Sequence, residues 1–194
     1  MKTKKIMMLL SLSVAVLFIF SACTVGSLAT ESKSETVNET SSESTDTVMD
    51  STFKGDAYNF KLMDTEGNEH SLEDFTGKKV YIKFWATWCP SCLEGLAELG
   101  VLHEQTKDRE DIVILTVVAP GYSGEKSATK FIEWYNGQEL KFTVLLDEGG
   151  DSFYEYGIRA VPSSFFIDSK GNLAESKLGH VGNEEILETL DSLQ

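Results

Sequence analysis

Hydrophobic and polar positions divide the chain into three stretches. Ile6 to Phe20 is a mostly apolar run. Residues 24–52 are mostly Ser, Thr and Glu without an aromatic side chain, so they lack the means to bury a core. From Phe53 to Gln194 short apolar runs alternate with segments of helical spacing. Tyr58-Asn59-Phe60-Lys61-Leu62 alternates as a strand does, and Asp64 to Asn68 reads as the turn of a hairpin. Ser71 to Phe75 predicts a short helix before Gly77. Val80 to Ala86 is nearly apolar throughout, as a central strand is. A helix is expected from Cys89 to about Lys107, then a second buried strand over Ile112–Val118. Ala128, Phe131, Ile132 and Tyr135 fall at helical spacing within Glu125–Tyr135. Phe142–Leu146 predicts a strand and Asp151–Tyr156 a short helix. Ser163–Asp168 and Leu173–Leu178 flank Ser169-Lys170-Gly171-Asn172, a hairpin signal. Asn183 is expected to cap a last helix through Leu193. Strands alternating with helices, closed by a hairpin and a helix, indicate a layered α/β sheet. Residues 53–194 have the size of one domain.

Charge and the N-terminus narrow the setting. The chain has 31 acidic and 17 basic residues and a net charge of −14. Met1-Lys2-Thr3-Lys4-Lys5, the apolar run and Ser21-Ala22-Cys23 form a charged region, a hydrophobic region and small residues before a cleavage point. The apolar run is short for a membrane-spanning helix, which takes about 20 residues. Cys23 after Ser-Ala resembles the lipobox of bacterial lipoproteins, with Phe20 where Leu is usual. Residues 1–22 would then be a signal peptide, Cys23 the lipidated N-terminus, and 24–52 a tether or plain spacer reaching on the order of 30 Å. The other reading is an uncleaved anchor, and both put the domain outside the cytoplasm. Without residues 1–22, which hold three Lys and no acid, 14 basic residues face 31 acidic ones and the charge is −17. Such acidity argues against nucleic-acid binding, which needs a basic face.

The chemistry lies in Trp88-Cys89-Pro90-Ser91-Cys92, at the junction of a predicted strand and helix. Pro90 suits the first helical position, which puts Cys89 at the N-cap and Cys92 one turn inside. Backbone N–H groups of Ser91 and Cys92 and the helix dipole would stabilise a Cys89 thiolate, lowering its pKa below the roughly 8.5 of a free thiol. Cys89 is thus expected to attack substrate and Cys92 to resolve the mixed disulfide. Half of a zinc site is the competing reading, but it needs two more ligands at matching spacing. The remaining Cys23, His70, His103 and His180 are scattered. No flavin or nicotinamide motif is present, so no cofactor is expected. His180 sits in a predicted loop and reads as solvated or near a site. Trp88 is expected to shield the disulfide and meet partners, and Trp85 to be core.

Val80 to Cys92 is similar to the active-site segment of thioredoxin-fold proteins, and Tyr156-Gly157-Ile158-Arg159-Ala160-Val161-Pro162-Ser163 to Asp168 resembles their second hallmark segment. Together they resemble the TlpA/ResA-like branch of extracytoplasmic, membrane-tethered thiol–disulfide reductases. The resemblance implies an α/β thioredoxin fold: a central mixed β-sheet flanked by helices, with an N-terminal β-hairpin extension. It implies that Pro162 is a cis-proline opposite the cysteines and that Val161 offers its backbone to substrate, with Trp88 and Pro90 beside it. Sequence alone shows only Val-Pro before a strand, where trans is the commoner form. Lys83 stands where thioredoxins have Asp and many TlpA/ResA-like proteins Asn; Gly95 stands where many have Glu, and Ala97 where Pro is common. Two roles are open to Lys83: an ammonium near the sulfurs, paired with Glu94, that tunes their pKa, or a solvent-facing or structural lysine.

The implied function is an extracytoplasmic disulfide reductase re-reduced by a CcdA/DsbD-type membrane donor. Its implied clients are surface proteins such as a methionine sulfoxide reductase or apocytochrome c. A thiol oxidase acting on secreted proteins would use the same cysteines at a higher potential. A non-catalytic surface lipoprotein or copper chaperone is the remaining alternative; soft thiolates suit copper, but no His or Met cluster accompanies them.

Overall fold

Lys79–Phe84 (β4) is the strand about which the domain is built, and its alternation decides what lies on each side. In the computed structural model residues 55–194 are described. The signal peptide, Cys23 and the tether expected over 1–52 lie outside the described residues. Val80, Ile82 and Phe84 enter one apolar layer with Leu115, Val117, Phe153 and Phe165. Tyr81 and Trp85 enter the other, with Cys92, Leu96, Leu99, Phe131 and Ile186. β4 runs parallel to Ile112–Val118 (β5) and antiparallel to Ser163–Ile167 (β7). Gly55–Asp56 (β1), Lys61–Asp64 (β2), Glu69–Ser71 (β3), Val144–Leu146 (β6) and Asn172–Leu178 (β8) complete one eight-stranded mixed sheet, in the order β1-β8-β7-β4-β5-β6-β2-β3. The helices are Pro90–Glu94 (α1), Leu96–Thr106 (α2), Ala128–Asn136 (α3), Asp151–Glu155 (α4) and Asn183–Ser192 (α5). This is the expected thioredoxin fold, and its N-terminal hairpin, β2–β3, extends the sheet from β6.

Several boundaries differ from the sequence reading. The expected strand at 58–62 starts only at Lys61, because Phe60 turns inward to 1% exposure and the Tyr58 carbonyl accepts from Tyr156 Oη. The helix after Cys89 is interrupted at Gly95, where the backbone departs from helical values (ψ −5°) and α2 starts afresh. α3 begins at Ala128 rather than Glu125, whose side chain is drawn to Thr87. Gly182, not Asn183, caps α5; Asn183 lies inside the helix and ties it to α2 by donating to the Glu98 carbonyl at 2.7 Å.

The hairpin is held by one carboxylate. Asp64 accepts from the Glu66 and Asn68 amides at 2.8 and 2.9 Å and lies 2.8 Å from His70 Nε2. Burial pushes the Asp64 carboxyl up, but the hydrogen bonds from His70, Asn68 and Glu66 outweigh it and hold the group well below the usual carboxylate range. A carboxyl whose folded pKa is depressed stabilises the fold above its unfolded value of about 3.8, and that contribution is lost as pH falls through the folded value. Asp64→Asn is expected to cost about 1–2 kcal/mol at neutral pH. The gap to the parent should narrow steadily below about pH 4 in urea denaturation; a gap independent of pH would show that the charge contributes nothing.

Candidate active site

The sulfurs sit where strand becomes helix. β4 ends at Phe84, and Trp85 to Trp88 carry the chain to the edge of the sheet, where α1 starts at Pro90. Pro90 occupies the first helical turn and Cys89 the N-cap. Cys89 and Cys92 are joined by a disulfide with their Cα atoms 5.2 Å apart. Cys89 Sγ accepts from the Cys92 amide at 3.2 Å and lies 3.4 Å from Ser91 Oγ. The Ser91 partner is thus its hydroxyl rather than the expected amide. Cys92 is wholly buried, whereas Cys89 keeps 4% exposure.

The second hallmark segment closes over this helix. The Val161–Pro162 bond is cis, and the Val161 carbonyl lies 3.5 Å from Cys89 Sγ. Val161 is half-buried and Pro162 buried, while Pro90 and Trp88 are exposed, Trp88 to 51%. Beside them lies a cleft of about 180 Å³ lined by Trp88, Tyr122, Phe153, Arg159 and Val161. Tyr122 lies across Gly150, where a Cβ would come within 2.7 Å of its ring; φ there is +82°, so glycine is required twice over. Trp85 is fully buried against Phe131 and Trp134, as expected of core, although its Nε1 has no hydrogen-bond partner.

A group the sequence reading missed anchors the loop before the cysteines. The buried Glu125 carboxylate accepts from the Thr87 amide, from Thr87 Oγ1 at 2.6 Å and from the Lys126 amide at 2.6 Å. Lys126 Nζ donates in turn to Thr87 Oγ1. Thr87 and Glu125 are 38 residues apart, so no local signal announces the pairing. Lys83, one of the two expected tuning residues, is buried, whereas Glu94 is exposed on α1. The carboxylate whose charge acts on Lys83 is Glu98, not Glu94. Among the described residues no three His, Cys, Asp or Glu side chains converge as metal ligands, and no helix is long and apolar enough to cross a membrane.

A pair of sulfurs one helical turn apart interconverts between dithiol and disulfide, and nothing else around the helix start offers other chemistry. The molecule is a thiol–disulfide oxidoreductase of the thioredoxin fold. Residues 46–191 match the Redoxin family, and the chain belongs to that family, among its TlpA/ResA-like members. It is 31% identical to the thiol-disulfide oxidoreductase ResA of Bacillus thuringiensis over 138 residues, 71% of this chain and 76% of that one. Among solved structures it resembles the pneumococcal exposed lipoprotein thioredoxin Etrx1 of Streptococcus pneumoniae, at 41% identity and a TM-score of 0.65 over 70% of this chain and all of that one. It also resembles StoA of Bacillus subtilis, at 25% identity and a TM-score of 0.58 over 68% and 96% of the two chains.

Proposed function

We propose that the protein is a membrane-anchored disulfide reductase acting outside the cytoplasm, with Cys89 as nucleophile and Cys92 as resolving thiol. The observation that carries this assignment is the asymmetry of the pair. Cys89, at the helix start, accepts the Cys92 amide and keeps some exposure, while Cys92 has none. A thiolate at Cys89 is stabilised by that amide, the Ser91 hydroxyl and the dipole of the helix. It attacks a substrate disulfide and one substrate thiol leaves. Cys92 then displaces the second thiol and the Cys89–Cys92 disulfide remains, two electrons having passed to the substrate. Trp88, Pro90, Val161 and Pro162 form the surface against which the substrate strand lies. Re-reduction comes from a CcdA/DsbD-type membrane donor. The clients are disulfide-bearing surface proteins, a methionine sulfoxide reductase ahead of apocytochrome c, since Gly95 replaces the Glu of the cytochrome-maturation branch.

The leader, with Cys23 as its lipidation site, supports anchoring, as does the similarity to a protein described as an exposed lipoprotein thioredoxin. The deciding measurement is the midpoint potential of the pair in the full chain carrying Cys23→Ser, by equilibration with glutathione or dithiothreitol buffers. The expected value is about −200 mV or lower. A value near −120 mV, in the range of a strong oxidant, reverses the direction and makes the protein a thiol oxidase.

A further inference from the structure

Lys83 is a cation in a layer otherwise filled by apolar side chains. It shares its face of β4 with Tyr81 and Trp85, the face that packs with Cys92, and is only 2% exposed. Gly95 makes room for it. Gly95 lies three residues beyond Cys92, on the same side of the helix. A Cβ at this position would come within 3.0 Å of Lys83 Nζ and 2.9 Å of His180 Nδ1. The absent side chain is therefore a slot into which an amine and an imidazole both point. His180 Nε2 lies 3.0 Å from Glu98 Oε2, and these two side chains are 41% and 55% exposed. A line of proton-carrying groups thus runs from the layer around Cys92, through Lys83 and His180, to Glu98 and water.

Resting on the reading of Cys92 as the resolving thiol, we propose that Lys83 takes up the Cys92 proton as the mixed disulfide is resolved, and that His180, oriented by Glu98, passes it to solvent. The Cys92 thiol gives its proton to the Lys83 amine, directly or through one water. The thiolate attacks Cys89 Sγ, forming the Cys89–Cys92 bond. The Cys89–substrate bond breaks, its electron pair leaves on the substrate sulfur, and that thiolate is protonated by water. The substrate disulfide is the only oxidant needed.

Burial favours the neutral amine of Lys83, and Glu98 opposes it. The titratable groups around Lys83 are Cys92 on α1, Glu98 on α2, His180 before α5, and Tyr81 on its own strand. Tyr81 Oη lies 2.9 Å from Ser164 Oγ, and burial pushes its pKa up to about 12, so it stays protonated at neutral pH. Glu185 on α5 is engaged by Lys177 at 2.6 Å.

The test uses the reduced full chain with Cys23→Ser, mixed rapidly with 5,5′-dithiobis(2-nitrobenzoate) from mildly acidic to mildly alkaline pH. The first release of coloured thiol reports attack by Cys89, and the second reports resolution by Cys92. Lys83→Met is expected to leave the first release unchanged and to slow the second on the order of 100-fold at neutral pH. The rate should recover as alkali ionises Cys92. His180→Gln, near the surface, should slow the second release less but displace its pH profile the same way, and it keeps the test open if Lys83→Met fails to fold. Lys83→Arg should be as slow as Lys83→Met, since a guanidinium keeps the charge but takes no proton. Wild-type rates and pH profile for the second release in Lys83→Met or His180→Gln overturn the proposal. Full rescue by Lys83→Arg overturns it too, by reducing Lys83 to a fixed charge. Loss of the first release from the parent chain refutes the parent reading and this proposal with it.

Discussion

Cys89→Ser is expected to end turnover of disulfide substrates entirely, while Cys92→Ala stops the cycle halfway with substrate covalently attached. The difference follows from where each sulfur sits. At neutral pH a serine hydroxyl has no accessible anionic form, and the stabilisation from the Cys92 amide and the helix start is then spent on a group that cannot attack. Cys92 is fully buried, so no substrate sulfur reaches it in the native fold. Removing Cys92 leaves the nucleophile and its cap in place but removes the thiol that frees the product. Mass spectrometry after incubation with a disulfide peptide reads both results: no adduct on Cys89→Ser, a single stable adduct at Cys89 on Cys92→Ala. An adduct formed at Cys92 in the Cys89→Ser chain would reverse the assignment of the pair.

Glu125→Ala is expected to cost about 2–4 kcal/mol, through what the carboxylate leaves behind rather than through its own charge. Three donors converge on it: the Thr87 amide, the Thr87 hydroxyl and the Lys126 amide. Each donor left without a partner in a buried site costs about 1–3 kcal/mol, less whatever water recovers. For a domain of this size that is a fall in Tm of roughly 10 °C. Glu125→Gln keeps the shape but turns one acceptor into a donor facing Thr87 or Lys126, and should lose about half as much. Because Thr87 immediately precedes Trp88 and Cys89, reaction of Cys89 with a disulfide should also slow in the alanine chain. Thermal denaturation and alkylation rates read the two effects; an unchanged Tm in Glu125→Ala would show that the network contributes nothing net.

What could be read from the chain was what is local. Val80 to Trp88 announces a buried strand running into a helix, and the spacing of Cys89, Pro90 and Cys92 alone predicts an N-cap sulfur and a shielded one. The hairpin turns at Asp64 and Ser169 carry their own signals in Asp, Gly and Asn. What could not be read depends on contacts between distant segments. The end of α1 at Gly95 looks from the sequence like a costly glycine inside a long helix; the structure shows the space it leaves to His180, 85 residues further on. Glu94 and Glu98 are equivalent in composition, and only the path of β4 beneath the helix decides which acts on Lys83. β1, two residues long, has no pattern to find.

That two-residue strand has a consequence for how copies of the domain share a crowded surface. An open sheet rim invites the backbone of a neighbour to pair with it. Here the outermost strands are β1, which covers β8 only at Asn172 and Leu173, and β3, three residues bearing Glu69 and His70. Where β8 runs on uncovered it carries Glu175 and Lys177, a pattern that discourages strand addition. Neighbouring molecules are therefore denied a template for joining their sheets. Trimming the chain back past Asp56 would lengthen the bare rim of β8, and the first symptom should be self-association, not loss of redox chemistry.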